Sequence, residues 1–372
     1  MKTLKQKICI ILALSLVLST TACGSGKNPG TDMSSEITAS TQASEITIDP
    51  TQTTDTDVTE TVKADSEDFQ VTYPVTVTDH LGREVIIEKE PQTIVSGYYI
   101  STSLLIALGM EDRLTGVEAK ADKRAIYKLS APEIVNLPNV GSAKDFDLEG
   151  CAALSPDLVI LPVKLKDAVA ALEELGITVL AVKPENQELF NEAAHMIATA
   201  TNTLSKETEL VNFANDSLNT LADAVGNTST LTVYLAGNSS LLSTAPAGMY
   251  QNTLIVNAGG SNVAAEINDT YWAEVSYEQL LSWNPDVIIL ASDATYTVDS
   301  VLADSSLAAC KAVKEGRVYQ IPGDIEAWDS PVPGSFLGSL YMASVLHPTE
   351  YSTEDYENTV ATFYKTFYDF EQ

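Results

Sequence analysis

The chain has 372 residues and a formal net charge of −30, from 51 acidic and 21 basic side chains. That balance argues against nucleic acid as a partner, since binding it needs clustered lysine and arginine, and it reads instead as solubility outside the cell. Three histidines without ligand spacing (His80, His195 and His347) and the lack of any CxxC pair argue against a metal centre or a disulfide framework.

Residues 1–22 read as a signal peptide. Lys2, Lys5 and Lys7 precede an apolar run at 8–18 that is too short to span a bilayer but suits an export signal. The small residues that follow lead into Cys23-Gly24-Ser25-Gly26, which resembles a bacterial lipoprotein signal. The resemblance implies that Cys23 is lipidated, becomes the mature N-terminus and holds the protein on the outer face of the cell membrane. Thr20 stands where that signal usually carries leucine, so plain secretion after Ala22 is the alternative. Residues 23–70 are rich in Thr, Ser, Asp and Glu and bury too little to offset the entropy of ordering, so they are expected to form a flexible tether. With ten acids and two lysines at 24–70 and three lysines in the signal, a charge of about −25 remains on the globular part.

The globular part opens with a hairpin pattern at 73–78 and 84–88, turned at Gly82. A short apolar strand at 93–96, the loop Gly97-Tyr98-Tyr99 and a helix at 100–108 closed by Gly109 make the repeating unit of an open parallel α/β sheet. Ligands of such sheets lie beyond the carboxyl ends of the strands. That rule collects Tyr98 and Tyr99, then Glu118, Lys120, Lys123, Arg124 and Tyr127 after a strand at 114–117, and Lys144 after Val140-Gly141. Further on it collects Asn238 after a strand at 231–235, with Tyr271, Trp272, Asp293, Tyr296, Trp328 and Asp329 on later loops. Aromatics and a few cations in an acidic chain suit a large, partly apolar ligand with negative groups.

Between these two groups lies a helix pattern at 204–225. Val211, Ala214, Leu218, Leu221 and Val225 share one face, Ser205 is the expected N-cap, and Gly226 is expected to end the helix in the left-handed conformation. At about 20 residues such a helix is roughly 30 Å long. It separates residues 71–203 from 227–372, and those halves share a phrase: LEGCAALSPDLVIL at 148–161 matches YEQLLSWNPDVIIL at 277–290 without a gap. Each copy reads as a helix stopped by proline and followed by a buried parallel strand. Two similar lobes about one strut suggest a clamp. Cys151 and Cys310, one in each half, read as buried inert thiols, while His80 and His347 read as surface residues.

TDxxGR at 78–83, ALGMEDRLTGV at 107–117, NAGGSNVAAE at 257–266 and VKEGRVYQIPG at 313–323 together resemble the periplasmic-binding-protein family that serves iron-siderophore, haem and cobalamin ABC importers. The resemblance covers most of residues 71–350. It implies an α/β fold of two Rossmann-like lobes with central parallel sheets, 71–203 and 227–372, joined by one long helix at 204–226. It further implies a non-enzymatic solute-binding lipoprotein without a cofactor of its own. The expected solute is an iron complex of the siderophore type, with cobalamin, haem or a metal oxyanion as alternatives. Its ligand is expected at Tyr98, Tyr99, Lys120, Lys123, Arg124, Lys144, Asn238, Tyr271, Trp272 and Trp328. Glu149 and Glu278, equivalent across the repeat, match the acids that dock such proteins on the permease, which works with its ATPase. The protein is expected to be a monomer. A two-lobed enzyme stands behind this reading, because no GxSxG, HExxH or P-loop motif is present, and a surface receptor that shares the fold is the third alternative.

Overall fold

The computed structural model describes residues 69–268 and 271–371. The signal peptide, the lipidation site Cys23 and the tether up to residue 68 lie outside the described residues. Val75–Thr78 (β1) and Glu84–Ile87 (β2) pair antiparallel, and Gly82 turns between them with φ of +75°. Val77, Val85 and Ile87 face the core, while Thr76 and Ile86 point out. The TDxxGR phrase fixes this hairpin onto the sheet. Asp79 accepts hydrogen bonds from the backbone of Leu81, Arg83 and Ala181 and pairs with the Arg83 guanidinium. His80 is not a surface residue as expected, because its Nδ1 accepts the Lys183 N–H at 2.6 Å and its ring is largely covered.

The first parallel sheet forms from Ile94–Ser96 (β3), Leu114–Val117 (β4), Leu158–Pro162 (β7) and Val179–Val182 (β8), in the order β4-β3-β7-β8. Strands β3, β7 and β8 are buried along their whole length, as a parallel sheet covered by helices on both faces requires. Tyr99–Ala107 (α1), Ala125–Ser130 (α2), Leu148–Ala153 (α3) and Lys166–Glu174 (α4) connect the strands, with a small hairpin of Gly141–Ser142 (β5) and Asp145–Phe146 (β6) before α3. Gln187–Thr201 (α5) leads into the long helix Leu204–Val225 (α6).

The second sheet is built around Leu231–Ala236 (β9), which runs parallel to Val287–Leu290 (β13), itself parallel to Val318–Gln320 (β14). Ser243–Thr244 (β10), Gly260–Asn262 (β11) and Ala273–Glu274 (β12) complete its other side. Tyr250–Asn257 (α7), Tyr277–Trp283 (α8), Val298–Leu302 (α9), Lys311–Lys314 (α10), Phe336–Leu346 (α11) and Thr353–Tyr368 (α12) supply its helices. Among the described residues no helix is long and apolar enough to cross a membrane.

Helix α6 differs from expectation at both ends. Its N-cap is Thr203 rather than Ser205, because Leu204 is already helical. Gly226 has φ of −62°, so it does not close the helix left-handed; Thr228 caps instead, donating its N–H and hydroxyl to the Val225 carbonyl. The buried stripe runs through Leu210, Leu221 and Val225, with Phe213, Ala214 and Leu218 half-buried beside it. Phe213 sits 5.6–6.0 Å, ring to ring, from Phe336, Phe363 and Phe367. Helix α12, which carries two of these rings, also packs against α1 of the first sheet, so a second bridge runs beside α6.

The repeat is a structural device in both copies. Helices α3 and α8 are capped by equivalent residues, Asp147 accepting from Gly150 N at 2.8 Å and Ser276 from Gln279 N at 3.2 Å. Each helix stops short of its proline, and the residues just before Pro156 and Pro285, Ser155 and Asn284, take φ of +49° and +46°. The following aspartates clasp the neighbouring strand. Asp157 accepts from the backbone N–H and hydroxyl of Thr93, and Asp286 does the same with Thr232. Cys151 and Cys310 are buried free thiols. His347, expected at the surface, is buried with Nε2 3.5 Å from Thr228 Oγ1, because α11 carries it under the end of α6.

Candidate functional site

Two adjoining clefts open between the sheets and meet at Tyr99. The first, of about 410 Å³, is lined by Tyr98, Tyr99 and the segment 183–186 after β8, and from the second half by Met249, Gln251, Tyr271, Ser330 and Pro331. The second, of about 250 Å³, is lined by Tyr99, Ser103, Lys120, Lys123, Arg124 and Tyr127 on one side, and by Asp293 and the loop 323–327 on the other. The strand-end rule explains this placement, since Tyr98 and Tyr99 follow β3, Lys120 and Arg124 follow β4, and Lys183 follows β8.

Around Tyr99 the side chains form one network. Arg124 stacks on the Tyr99 ring with its Cζ 4.2 Å from the centroid, and its Nε donates to Glu118 Oε1 at 3.1 Å. Tyr127, fully buried, places its hydroxyl 2.9 Å from the same oxygen and 3.0 Å from the Tyr99 carbonyl. Thr102 Oγ1 donates to Glu118 Oε2 at 2.6 Å. Burial pushes the Tyr99 and Tyr127 phenols up, so both stay protonated at neutral pH. On the opposite wall, burial pushes the Glu326 carboxyl up to about 7, although the Ser103 hydroxyl donates to it. Asp329 is buried too and anchors the cleft loop, taking the Ser292 N–H and hydroxyl on its carboxylate and Gln251 Nε2 on its carbonyl.

Of the expected ligand residues, Tyr98, Tyr99 and Tyr271 line the first cleft, and Lys120, Lys123, Arg124 and again Tyr99 the second. Lys123 is engaged locally, with Asp122 2.7 Å away. Trp328 is a correction: it is 2 % exposed, donates its indole N–H to the Tyr364 hydroxyl at 2.9 Å and packs edge-on against Tyr356, so it belongs to the core. Lys144 stands exposed at the tip of the β5–β6 hairpin and Asn238 on the exposed bend after β9, neither lining a cleft. Trp272 lies against Gly237, where an added Cβ would come within 3.0 Å of the indole, and it too lines neither cleft. Lys183, Met249, Gln251 and Glu326 were missed. Lys183 follows a strand and was open to the same rule, whereas Met249 and Gln251 sit at the start of a helix with no strand-end signal.

This architecture, two α/β halves with a cleft between them lined by strand-end loops, is that of a solute-binding protein. The periplasmic binding protein family model matches residues 94–325, and the chain belongs to that family. Its relatives include the molybdate-binding protein MolA of Haemophilus influenzae, 25% identical over 80% of this chain and 89% of that protein. The solved structure of MolA bound to molybdate aligns with a TM-score of 0.69, covering 80% of this chain and 99% of that one. The uncharacterized ABC transporter substrate-binding lipoprotein YvrC of Bacillus subtilis is 27% identical over 70% of this chain and 82% of its own length. A cobalamin-binding protein of Halobacterium salinarum is 24% identical over 76% of each chain.

Proposed function

We propose that this protein is the exported solute-binding component of an ABC importer, capturing a metal complex between its two halves and handing it to a permease that works with an ATPase. The observation that carries the reading is the pair of clefts meeting at Tyr99, lined from both halves and joining an aromatic wall to the cationic Arg124. The larger cleft falls within the roughly 300–1,000 Å³ typical of sites for drug-sized molecules, which favours a chelate of the iron-siderophore type over a bare oxyanion. An oxyanion is the second reading, favoured by the grouping of Lys120, Lys123 and Arg124 and by the similarity to MolA. The cleft is read as a carrier's site, with no turnover of its ligand. Lobe limits at 71–203 and 227–372, with 204–226 between them, belong to the same proposal, as does lipid anchoring at Cys23.

Native mass spectrometry of the protein purified from a bacterial host, followed by fluorescence titration with ferric siderophores, haem, cobalamin and molybdate, tests this. One-to-one saturable binding of a metal complex is expected. Saturation by molybdate alone would replace the chelate with an oxyanion, and binding of none of the four would remove the cargo class. Glu149 and Glu278 are the proposed docking acids; both are exposed at the first turn of equivalent helices, α3 and α8. Replacing both with alanine is expected to leave ligand affinity unchanged and abolish uptake in cells, and a loss of affinity would overturn the assignment. Cys23→Ser is expected to move the protein from the membrane fraction to the medium.

A further inference from the structure

We infer that Glu118 is a positioning residue: it holds one edge of the Arg124 guanidinium so that the other edge receives a pair of anionic oxygens on the bound solute. The inference rests on the cargo reading above and deepens it. Glu118 follows β4 and is 5% exposed beneath the second cleft. Its Oε1 takes the Arg124 Nε–H at 3.1 Å and its Oε2 takes the Thr102 hydroxyl at 2.6 Å. Arg124 is thereby fixed by an edge on Glu118 and by a face on Tyr99, 4.2 Å from the ring centroid, and a planar group held in both ways does not rotate.

Among the described residues neither Nη atom of Arg124 has a hydrogen-bond partner, while about a third of the side chain (34%) is exposed and it lines the cleft. The Nη1/Nη2 edge matches the two oxygens of a carboxylate, a catecholate or a tetrahedral oxyanion, which a lysine ammonium does not. Because Glu118 neutralises Arg124 locally, the pair acts as an aimed donor more than as a source of field. Lys120 and Lys123 differ, since both are exposed and Lys123 is spent on Asp122. Holding the fork in place before the solute arrives removes part of the ordering cost of binding.

The test uses the full chain with three probes: molybdate, a trianionic ferric tris-catecholate and a neutral ferric tris-hydroxamate. Glu118→Gln is expected to weaken the anionic probes by about 10- to 100-fold, the range for losing an aimed charged hydrogen bond, and to spare the neutral one. Arg124→Lys should cost as much as Arg124→Gln, and Glu118→Gln should add nothing in the Arg124→Gln background. In the free protein the Arg124 Nε–H resonance should be sharp and slow to exchange, and should broaden in Glu118→Gln. Tyr127→Phe, which removes a different contact from the same carboxylate oxygen, should keep it sharp. An Arg124 Nε–H that exchanges as fast in the wild type as in Glu118→Gln overturns the inference, and so does an Arg124 signal unmoved by both anionic probes. Equal loss for anionic and neutral probes overturns it as well. A chelate bound equally by every variant removes this inference and leaves the cargo reading, whereas molybdate acting on Arg124 with no chelate bound does the reverse.

Discussion

Glu326 occupies the floor of the second cleft as a buried acid. Ser103 donates to Oε1, while Oε2 has only a loose approach from the Gly334 backbone. Burial raises its carboxyl to about 7 from a usual 4.5, so the folded chain holds a proton that the unfolded chain releases. Stability is therefore highest below about pH 4.5 as far as this group is concerned, falls as pH climbs to 7, and stays low above that. Glu326→Gln is expected to match the wild type near pH 5 and to exceed it at pH 8 by on the order of 3 kcal/mol. Thermal melts at the two values check this, and a difference independent of pH would mean that the carboxyl does not titrate in place. The phrase that contains Glu326, EAWDSP, shows why side-chain direction was illegible here. A loop has no period, so nothing in the order of residues tells that Glu326 faces the cleft and Trp328, two places on, faces the core. Tyr98, Tyr99 and Arg124 were legible because they lie on the segments that leave the ends of β3 and β4, and strand ends have a direction.

At the scale of elements, the repeated aspartates tie each central strand to its neighbour. The Lys89 ammonium 2.8 Å from Asp157 Oδ1 holds that carboxyl down at about 2, although burial opposes it, and the backbone and hydroxyl of Thr93 add to the effect. Asp286 is lowered despite burial, by Lys311 and Thr232. A carboxyl depressed by folding stabilises above its unfolded value and loses that contribution as pH falls through its folded one, which places the loss for Asp157 between about 4 and 2. Asp157→Ala and Asp286→Ala each strand a backbone N–H at the start of a buried strand, and each is expected to cost about 1–3 kcal/mol in chemical denaturation. Each should also flatten the acid limb of the stability profile, and an unchanged limb would assign the acid sensitivity elsewhere. The strands and helices of the repeat were legible in the PD-plus-apolar phrase. The left-handed stops at Ser155 and Asn284 were not, because the proline that follows each already accounts for the end of the helix, and positive φ is uncommon for a residue with a side chain. The same holds for the end of α6, where a glycine that looks like a left-handed stop stays right-handed because Thr228 already satisfies the Val225 carbonyl.

For the whole molecule, the question is how far the halves move when solute binds. The sequence supplied a single strut, α6, but the structure adds α12, whose Phe363 and Phe367 meet Phe213 of α6 and whose Tyr368 hydroxyl lies 3.0 Å from Ser103 Oγ of α1. This second bridge was hidden because α12 is separated from α1 by more than 240 residues, with no local pattern to link them. Ser103 also donates to Glu326 across the cleft floor, so three elements distant in the chain share one buried polar node. The hydrophobic cluster runs without a break from Ile94 and Leu104 through Leu221 to Phe363. A hinge would have to open that core, and packed cores resist graded deformation. Small-angle scattering with and without a saturating ligand is therefore expected to give the same radius of gyration. Deleting α12 should loosen the halves and turn binding into a visible compaction. A large compaction in the intact protein would show that α6 bends, and that the aromatic contacts of Phe213 break and re-form with each cycle of capture.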